Sequence, residues 1–221
     1  MNMRRDELAK MIDHTLLDPS ATRDRVERLC EEAKAYRVHA VCVNPSWVSF
    51  AAGSLRGSGV KVSSTVGFPL GASLTEVKAF EAATVVRLGA SEVDMVINIG
   101  ALKSQDLATV REDMEQVVKA SKGVPVKVII ETAYLNEQEK VQACKLAQEA
   151  GAAFVKTSTG FSPGGATVED VALMRKTVAD RIGVKASGGI RTLKDALEMI
   201  AAGASRIGTS STIDILKECP I

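Results

Sequence analysis

The sequence predicts an α/β protein, a single closed (β/α)8 barrel of the TIM type preceded by a short helix. Three observations carry this. Short β-branched runs alternate with amphipathic helical windows from one end of the chain to the other. Eight such units fit into 221 residues, the economy expected of a closed barrel. No linker, composition shift or low-complexity stretch interrupts them, so residues 1–221 read as one domain. An open doubly wound sheet is the runner-up, because periodicity does not distinguish a closed sheet from an open one.

The elements follow in order. Residues 4–10 form the leading helix, and strands are read at 11–15, 38–43, 60–66, 93–99, 126–132, 153–158, 184–187 and 206–208. Helix starts are marked by polar pairs three residues apart: Ser73 with Glu76, Asn136 with Glu139, Thr167 with Asp170 and Thr192 with Asp195. Asn44 followed by Pro45 is another start, since proline is tolerated at the first helical position. Between Ser104 and Ala120, the side chains of Leu107, Val110, Met114, Val117 and Val118 form a stripe that a sheet would cover. Gly151 and Gly203 are read as helix stops, where glycine takes the left-handed conformation freely.

Composition narrows the function classes. With 46% hydrophobic and 25% charged residues and a net charge of +1, the chain lacks the clustered positive face that nucleic acid requires. No apolar run approaches the ~18 residues of a membrane span, and the N-terminus runs directly into charged residues. Cys30, Cys42, Cys144 and Cys219 lie far apart without a CxxC pair, which fits reduced thiols and a cytoplasmic location. With only His14 and His39, the latter on the outward parity of its strand, a zinc site is not expected. Cys42, at a strand end, has two readings, a residue bordering the pocket and a small buried hydrophobe, of which the second is preferred.

Strand parity locates the chemistry. Side chains of a barrel strand alternate between the interior and the helix layer. If the aliphatic residues pack on the helices, Lys156 in "FVKTSTG" and Lys185 in "GVKASGGIR" point inward. The same split sends Glu92, Asp94 and Asn98 of "EVDMVINIG", Lys127 and Glu131 of "VKVIIET", and Ala40 and Cys42 of "VHAVCVN" to the interior. An inward lysine can simply complete a buried ion pair, and that role stands for Lys127. Two ammonium groups on neighbouring strands are different, since repulsion and desolvation lower the pKa of at least one. An unperturbed lysine is about one part in a thousand neutral near pH 7.4, and lowering its pKa by about three pH units costs about 4 kcal/mol in the charged form. What that strain supplies is an amine able to attack carbonyls and form a Schiff base. Asp94 is the carboxylate within reach for proton traffic. After the seventh and eighth strands, "ASGGIR" and "GTSST", with Ser210 and Ser211, sit where barrels of this kind bind phosphate. "GFSPGGAT" has the outline of a P-loop without its lysine and reads as a glycine-rich loop over the mouth.

At these residues the chain resembles the class I 2-deoxyribose-5-phosphate aldolases. The likeness runs through "IDHTLL", "VCVNP", "VGFPLG", "EVDMVIN", "VKVIIET", "FVKTSTGF", "GVKASGGIR" and "RIGTSS", nearly the whole length. It implies reversible cleavage of 2-deoxy-D-ribose 5-phosphate to acetaldehyde and D-glyceraldehyde 3-phosphate in deoxyribonucleoside catabolism, with no metal or organic cofactor. By this resemblance Lys156 forms the Schiff base, Lys185 lowers its pKa and Asp94 relays protons. Gly160, Gly188, Gly189, Ser210 and Ser211 contact the phosphate, while Asp13 and Thr15 line the pocket. Relatives are commonly dimers or tetramers, so a homo-oligomer is expected. Two departures accompany the likeness: Phe161 stands where some relatives carry a basic residue, and the chain closes on "ECPI" where many have a tail ending in tyrosine. The competing readings are a barrel that binds sugar phosphates without turnover and a phosphosugar isomerase, which would use a carboxylate base and not need the lysine pair.

Overall fold

The computed structural model describes residues 3–220; Met1, Asn2 and Ile221, the last residue of "ECPI", lie outside the described residues. In chain order the elements are α1 (Arg5–Ala9), β1 (Ile12–Leu16), α2 (Arg23–Tyr36), β2 (Ala40–Val43), α3 (Val48–Ser54), β3 (Lys61–Val66), α4 (Thr75–Arg87), β4 (Glu92–Val96), α5 (Ile99–Lys103), α6 (Leu107–Ala120), β5 (Val126–Ile129), α7 (Glu137–Glu149), β6 (Phe154–Lys156), α8 (Val168–Val178), β7 (Gly183–Ser187), α9 (Leu193–Ala201), β8 (Arg206–Thr209) and α10 (Thr212–Glu218). Single 3-10 turns precede α3 at Pro45–Trp47 and follow β5 at Thr132–Tyr134. The strands pair in parallel, each with the next, and β8 closes on β1. The closed barrel read from the sequence is therefore the fold, and the open sheet is excluded.

The aliphatic parity packs outward as expected. Val93 and Met95 of β4, Val155 of β6, Val184 and Ala186 of β7 and Ile207 of β8 join one apolar layer with the inner faces of the helices. Each fully buried Val, Leu, Ile or Met side chain contributes about 1.5–3 kcal/mol. Capping follows the sequence at three starts. Asn136 with Glu139 and Thr192 with Asp195 form reciprocal capping boxes, and the Thr167 hydroxyl accepts from the Asp170 amide. Gly151 and Gly203 take positive φ, 81° and 114°, as helix stops.

The fourth start differs. Ser73 does not cap α4; Leu74 occupies the cap position without a side-chain bond, and the first turn is held instead through tertiary contacts. Lys78, fully buried, donates to Asp113 Oδ2 of α6 at 2.5 Å and to the Val96 carbonyl at 2.9 Å, and Thr75 lies 3.3 Å from Asp113 Oδ1. Burial pushes the Lys78 pKa down and that of Asp113 up, each opposed by the charge of the other. Strand ends also fall short of the β-branched runs. β4 stops at Val96, and Asn98, expected inside the barrel, caps α5 by accepting from the Ala101 amide. Ser104 closes α5, and α6 starts only after Asp106. β5 stops at Ile129, because the chain turns through a left-handed Glu131.

The Lys78–Asp113 pair generates a stability test. Asp113→Leu leaves a buried ammonium unpaired and is expected to cost about 3–5 kcal/mol. Denaturant titration of the Lys78→Met/Asp113→Leu double variant should return to within about 1 kcal/mol of wild type; additive losses would show that the pair itself stabilises the fold.

Candidate active site

Register brings the inward charges to one level. Lys156 pairs with Lys185 across β6 and β7, and Asp94 with Lys127 across β4 and β5. Asp94 is the hub. Its Oδ1 accepts from Lys127 Nζ at 2.6 Å, and its Oδ2 accepts from both Lys156 Nζ and Lys185 Nζ at 2.8 Å. Ser63 of β3 adds a hydroxyl to Oδ1 at 2.8 Å. Asp13 of β1 takes a 2.5 Å bond from Lys185 and a 2.9 Å bond from Arg206, whose Nη1 also reaches Glu92 Oε2 at 2.9 Å. Lys127 lies 2.7 Å from the same Glu92 oxygen. Lys127 is thus part of an ion network, the structural role read for it from the sequence.

The two lysines of the pair have opposite electrostatics. Burial lowers the pKa of Lys156; Asp94 opposes the fall and the Lys185 charge adds to it, leaving the amine below its ordinary value. Burial acts on Lys185 too, but Asp13 and Asp94 together outweigh it and hold that ammonium above the usual lysine range. Asp94, which burial alone would raise, is kept well below the carboxylate range by Lys127, Lys156 and Lys185. Cys42 is fully buried and its thiol is pushed up by burial, consistent with a small apolar filler.

Above the network opens a pocket of about 500 Å³ at the C-terminal ends of the strands, lined among others by Thr15, Lys156, Gly160, Gly188, Gly189 and Ser210. Lys156 is the member of the network that reaches it. Asp94, Lys185 and Asp13 are sealed beneath, so Asp13 does not line the pocket as expected. Ser211 turns to the adjoining groove between β1, α2 and α10, its amide donating to Thr209 Oγ1 at 2.9 Å. Gly188 and Gly189 have φ near 87° and 79°. A Cβ at Gly165, in the β6–α8 loop, would lie 2.4 Å from the Gly188 carbonyl, so this loop rests directly on the one after β7. Among the described residues, the amides of Gly160, Gly189 and Ser210 have no acceptor within the chain, the arrangement that suits an anion. A larger groove of about 970 Å³ between α6 and α7 is lined by neither Lys156 nor Lys185.

Three further residues depart from the sequence expectation or escape it. His39 precedes β2 rather than belonging to it, so strand parity does not apply, and its Nε2 lies 2.8 Å from Glu92 Oε1. Asp13, His39 and Glu92 bring potential metal-ligand atoms within 4.8 Å, but Arg206 and Lys127 already occupy the carboxylates. Arg206 was not singled out; its guanidinium also lies 5.1 Å over the Phe154 ring, which fills the barrel floor. Glu131 leaves the interior and bonds to the β6–α8 loop.

Comparison with known proteins gives a consistent picture. The profile of the DeoC/LacD family aldolases matches residues 8–218. A deoxyribose-phosphate aldolase of Streptococcus sanguinis (strain SK36) is 59% identical over 211 residues, covering 96% of each chain. One from Bacillus cereus (strain AH187) is 58% identical over 210 residues, 95% of this chain and 94% of its own. The solved structure of a deoxyribose phosphate aldolase from Aeropyrum pernix, described as a unique tetramer, matches with a TM-score of 0.91 at 37% identity, covering 97% of this chain and 91% of that one.

The opposed charges around Lys156 set the sign of two substitutions. Removing the Asp94 charge takes away the contribution that raises the Lys156 pKa, and removing the Lys185 charge takes away one that lowers it. Labelling of Lys156 by formaldehyde and borohydride across pH should therefore show a midpoint below the ordinary lysine value. The midpoint is expected to fall in Asp94→Asn and to rise in Lys185→Met. An unchanged midpoint in both variants would show that burial alone tunes the amine.

Proposed function

The chain belongs to the DeoC/LacD family of aldolases, and from that premise we propose that it is a deoxyribose-phosphate aldolase acting through a Schiff base on Lys156, with residues 1–221 as one aldolase domain. The carrying observation is that a single lysine of depressed pKa opens into the pocket while its partner lysine is sealed beneath and fully charged. That asymmetry supports Lys156 over Lys185 as the nucleophile. In the ring-opened substrate the neutral Lys156 amine adds to the C1 aldehyde, and loss of water gives the imine. The C3 hydroxyl then gives up its proton and the C2–C3 bond breaks. Its electron pair passes into the imine as an enamine, and D-glyceraldehyde 3-phosphate leaves. Protonation at C2 and hydrolysis release acetaldehyde and return the amine.

Asp94 Oδ2 bridges the two ammonium nitrogens, so a proton leaving Lys156 has an acceptor at 2.8 Å and a charged neighbour, Lys185, on the far side. We assign proton relay to Asp94 and the lowering of the Lys156 pKa to Lys185. The phosphate end is assigned to the amides of Gly160, Gly188 and Gly189 with Ser210, aided by Ser211 from the adjoining groove; Thr15 lines the wall and Asp13 holds Lys185 from below. No metal or organic cofactor enters this scheme. The free, buried cysteines support a cytoplasmic setting, and among the described residues no helix is long and apolar enough to cross a membrane.

Self-association is part of the reading. Leu70, Leu74, Val77 and Phe80 are exposed by 52–75% on the loop before α4 and on α4 itself, beside a groove of about 570 Å³. Such a patch suits an interface, and a second copy, as in a dimer or tetramer, is its assigned occupant. Light scattering should give a multiple of the chain mass that falls in Phe80→Glu; a wild-type monomer at micromolar concentration would refute the assignment.

The chemical test is direct. After incubation with acetaldehyde and borohydride, peptide mass spectrometry should find an ethyl group on Lys156, and Lys156→Ala should lose turnover by at least about 10³-fold. An adduct on Lys185 would reverse the roles. No adduct, with sugar phosphate still bound, would favour a binding barrel.

A further inference from the structure

Glu131 is unusual in two independent respects. Its backbone lies in the left-handed region, with φ 55° and ψ 67°, a conformation that strains a residue carrying a Cβ and persists where surrounding structure imposes it. Its carboxylate is 2% exposed, yet among the described residues it has no lysine, arginine or histidine partner. A buried carboxylate with only neutral donors is uncommon. The donors come from one place. The Thr159 amide reaches both oxygens at 3.2 and 3.3 Å, the Thr159 hydroxyl donates at 2.5 Å and the Ser162 hydroxyl at 3.0 Å.

Those donors bracket Gly160 and Phe161 in the loop that walls the pocket after Lys156. Thr159 Oγ1, while donating to Glu131, accepts from the Phe161 amide at 3.0 Å. Both neighbours are fixed, Gly160 between them lines the pocket, and among the described residues its amide has no acceptor within the chain. Position 161 supplies no cation here, so attraction of a phosphate by this wall falls to backbone geometry, and hydrogen bonds weaken steeply when misaligned.

We propose that Glu131 is a positioning residue that presets Thr159, Gly160 and Phe161 for the phosphate end of the substrate, and so sets the preference for phosphorylated over unphosphorylated deoxyribose. The proposal rests on the aldolase reading. The left-handed backbone of Glu131, just beyond β5, carries the carboxylate across to the loop following β6.

The test compares full-length wild type, Glu131→Gln and Glu131→Gly on 2-deoxyribose 5-phosphate and on 2-deoxyribose. Glycine accepts the left-handed backbone and removes the carboxylate, separating strain from bonding. In both variants the ratio of kcat/KM between the two substrates is expected to fall about tenfold, through KM for the phosphorylated one. Borohydride trapping of acetaldehyde on Lys156 should persist, and the Thr159 amide should exchange hydrogen faster. Equal loss on both substrates would make Glu131 a general strut and overturn the proposal. So would an unchanged ratio, or a KM that falls because a negative charge has left the phosphate wall. If wild type turns over neither substrate, the aldolase reading fails by itself. The positioning is then read from inorganic phosphate binding by calorimetry: weaker binding in both variants supports it, and equal or absent binding in wild type and variants refutes it.

Discussion

Everything in the barrel interior depends on how few carboxylates it holds. Lys127, Lys156, Lys185 and Arg206 face Asp13, Glu92 and Asp94. Four cations meet three anions. In a medium where an unpaired charge costs several kcal/mol, one positive charge has no carboxylate of its own. Lys127 lies within 4 Å of all three carboxylates, Lys185 is shared between two, and Arg206 bridges Asp13 and Glu92. Lys156 has only part of Asp94, so it is the amine from which a proton leaves most readily.

The fold serves this arrangement by register and by parity. Parallel pairing places Lys156 beside Lys185 and Asp94 beside Lys127 without any loop having to find them. The opposite parity carries the valines and isoleucines that bind the helix layer, so one alternating pattern builds both the apolar shell and the charged axis. Close packing extends to the floor. A Cβ at Gly183 would fall 2.2 Å from the Phe154 ring, so the glycine makes room for the aromatic side chain beneath Arg206.

Much of this was legible in the sequence. Eight apolar runs with helical windows between them gave the barrel, and parity gave Lys156, Lys185, Asp94 and Lys127 because these residues lie inside regular strands. Legibility ended where the strands end. Asn98 and Glu131 follow the parity of their runs on paper, but the chain has already turned before it reaches them. His39 misleads for the converse reason, since it precedes its strand. Ser73 carries a valid capping pattern that the buried Lys78 contact to Asp113 overrides. Arg206 sits on an inward parity like the lysines, and the parity rule applied to β8 would have found it. Nothing in the local sequence distinguishes Ser211 from Ser210 in facing the pocket; that depends on how α10 begins.

The linkage through Arg206 has a consequence for how such a chain can change over generations. Glu92 and Asp13 are buried and do not line the pocket, yet they share Arg206 and are tied through Lys127 and Lys185 to the carboxylate that accepts from Lys156. A charge gained or lost at the floor must therefore be redistributed up the axis. Drift at these hidden positions reaches the electrostatics of Lys156 as well as the stability of the fold, and the barrel floor cannot vary independently of the pocket above it.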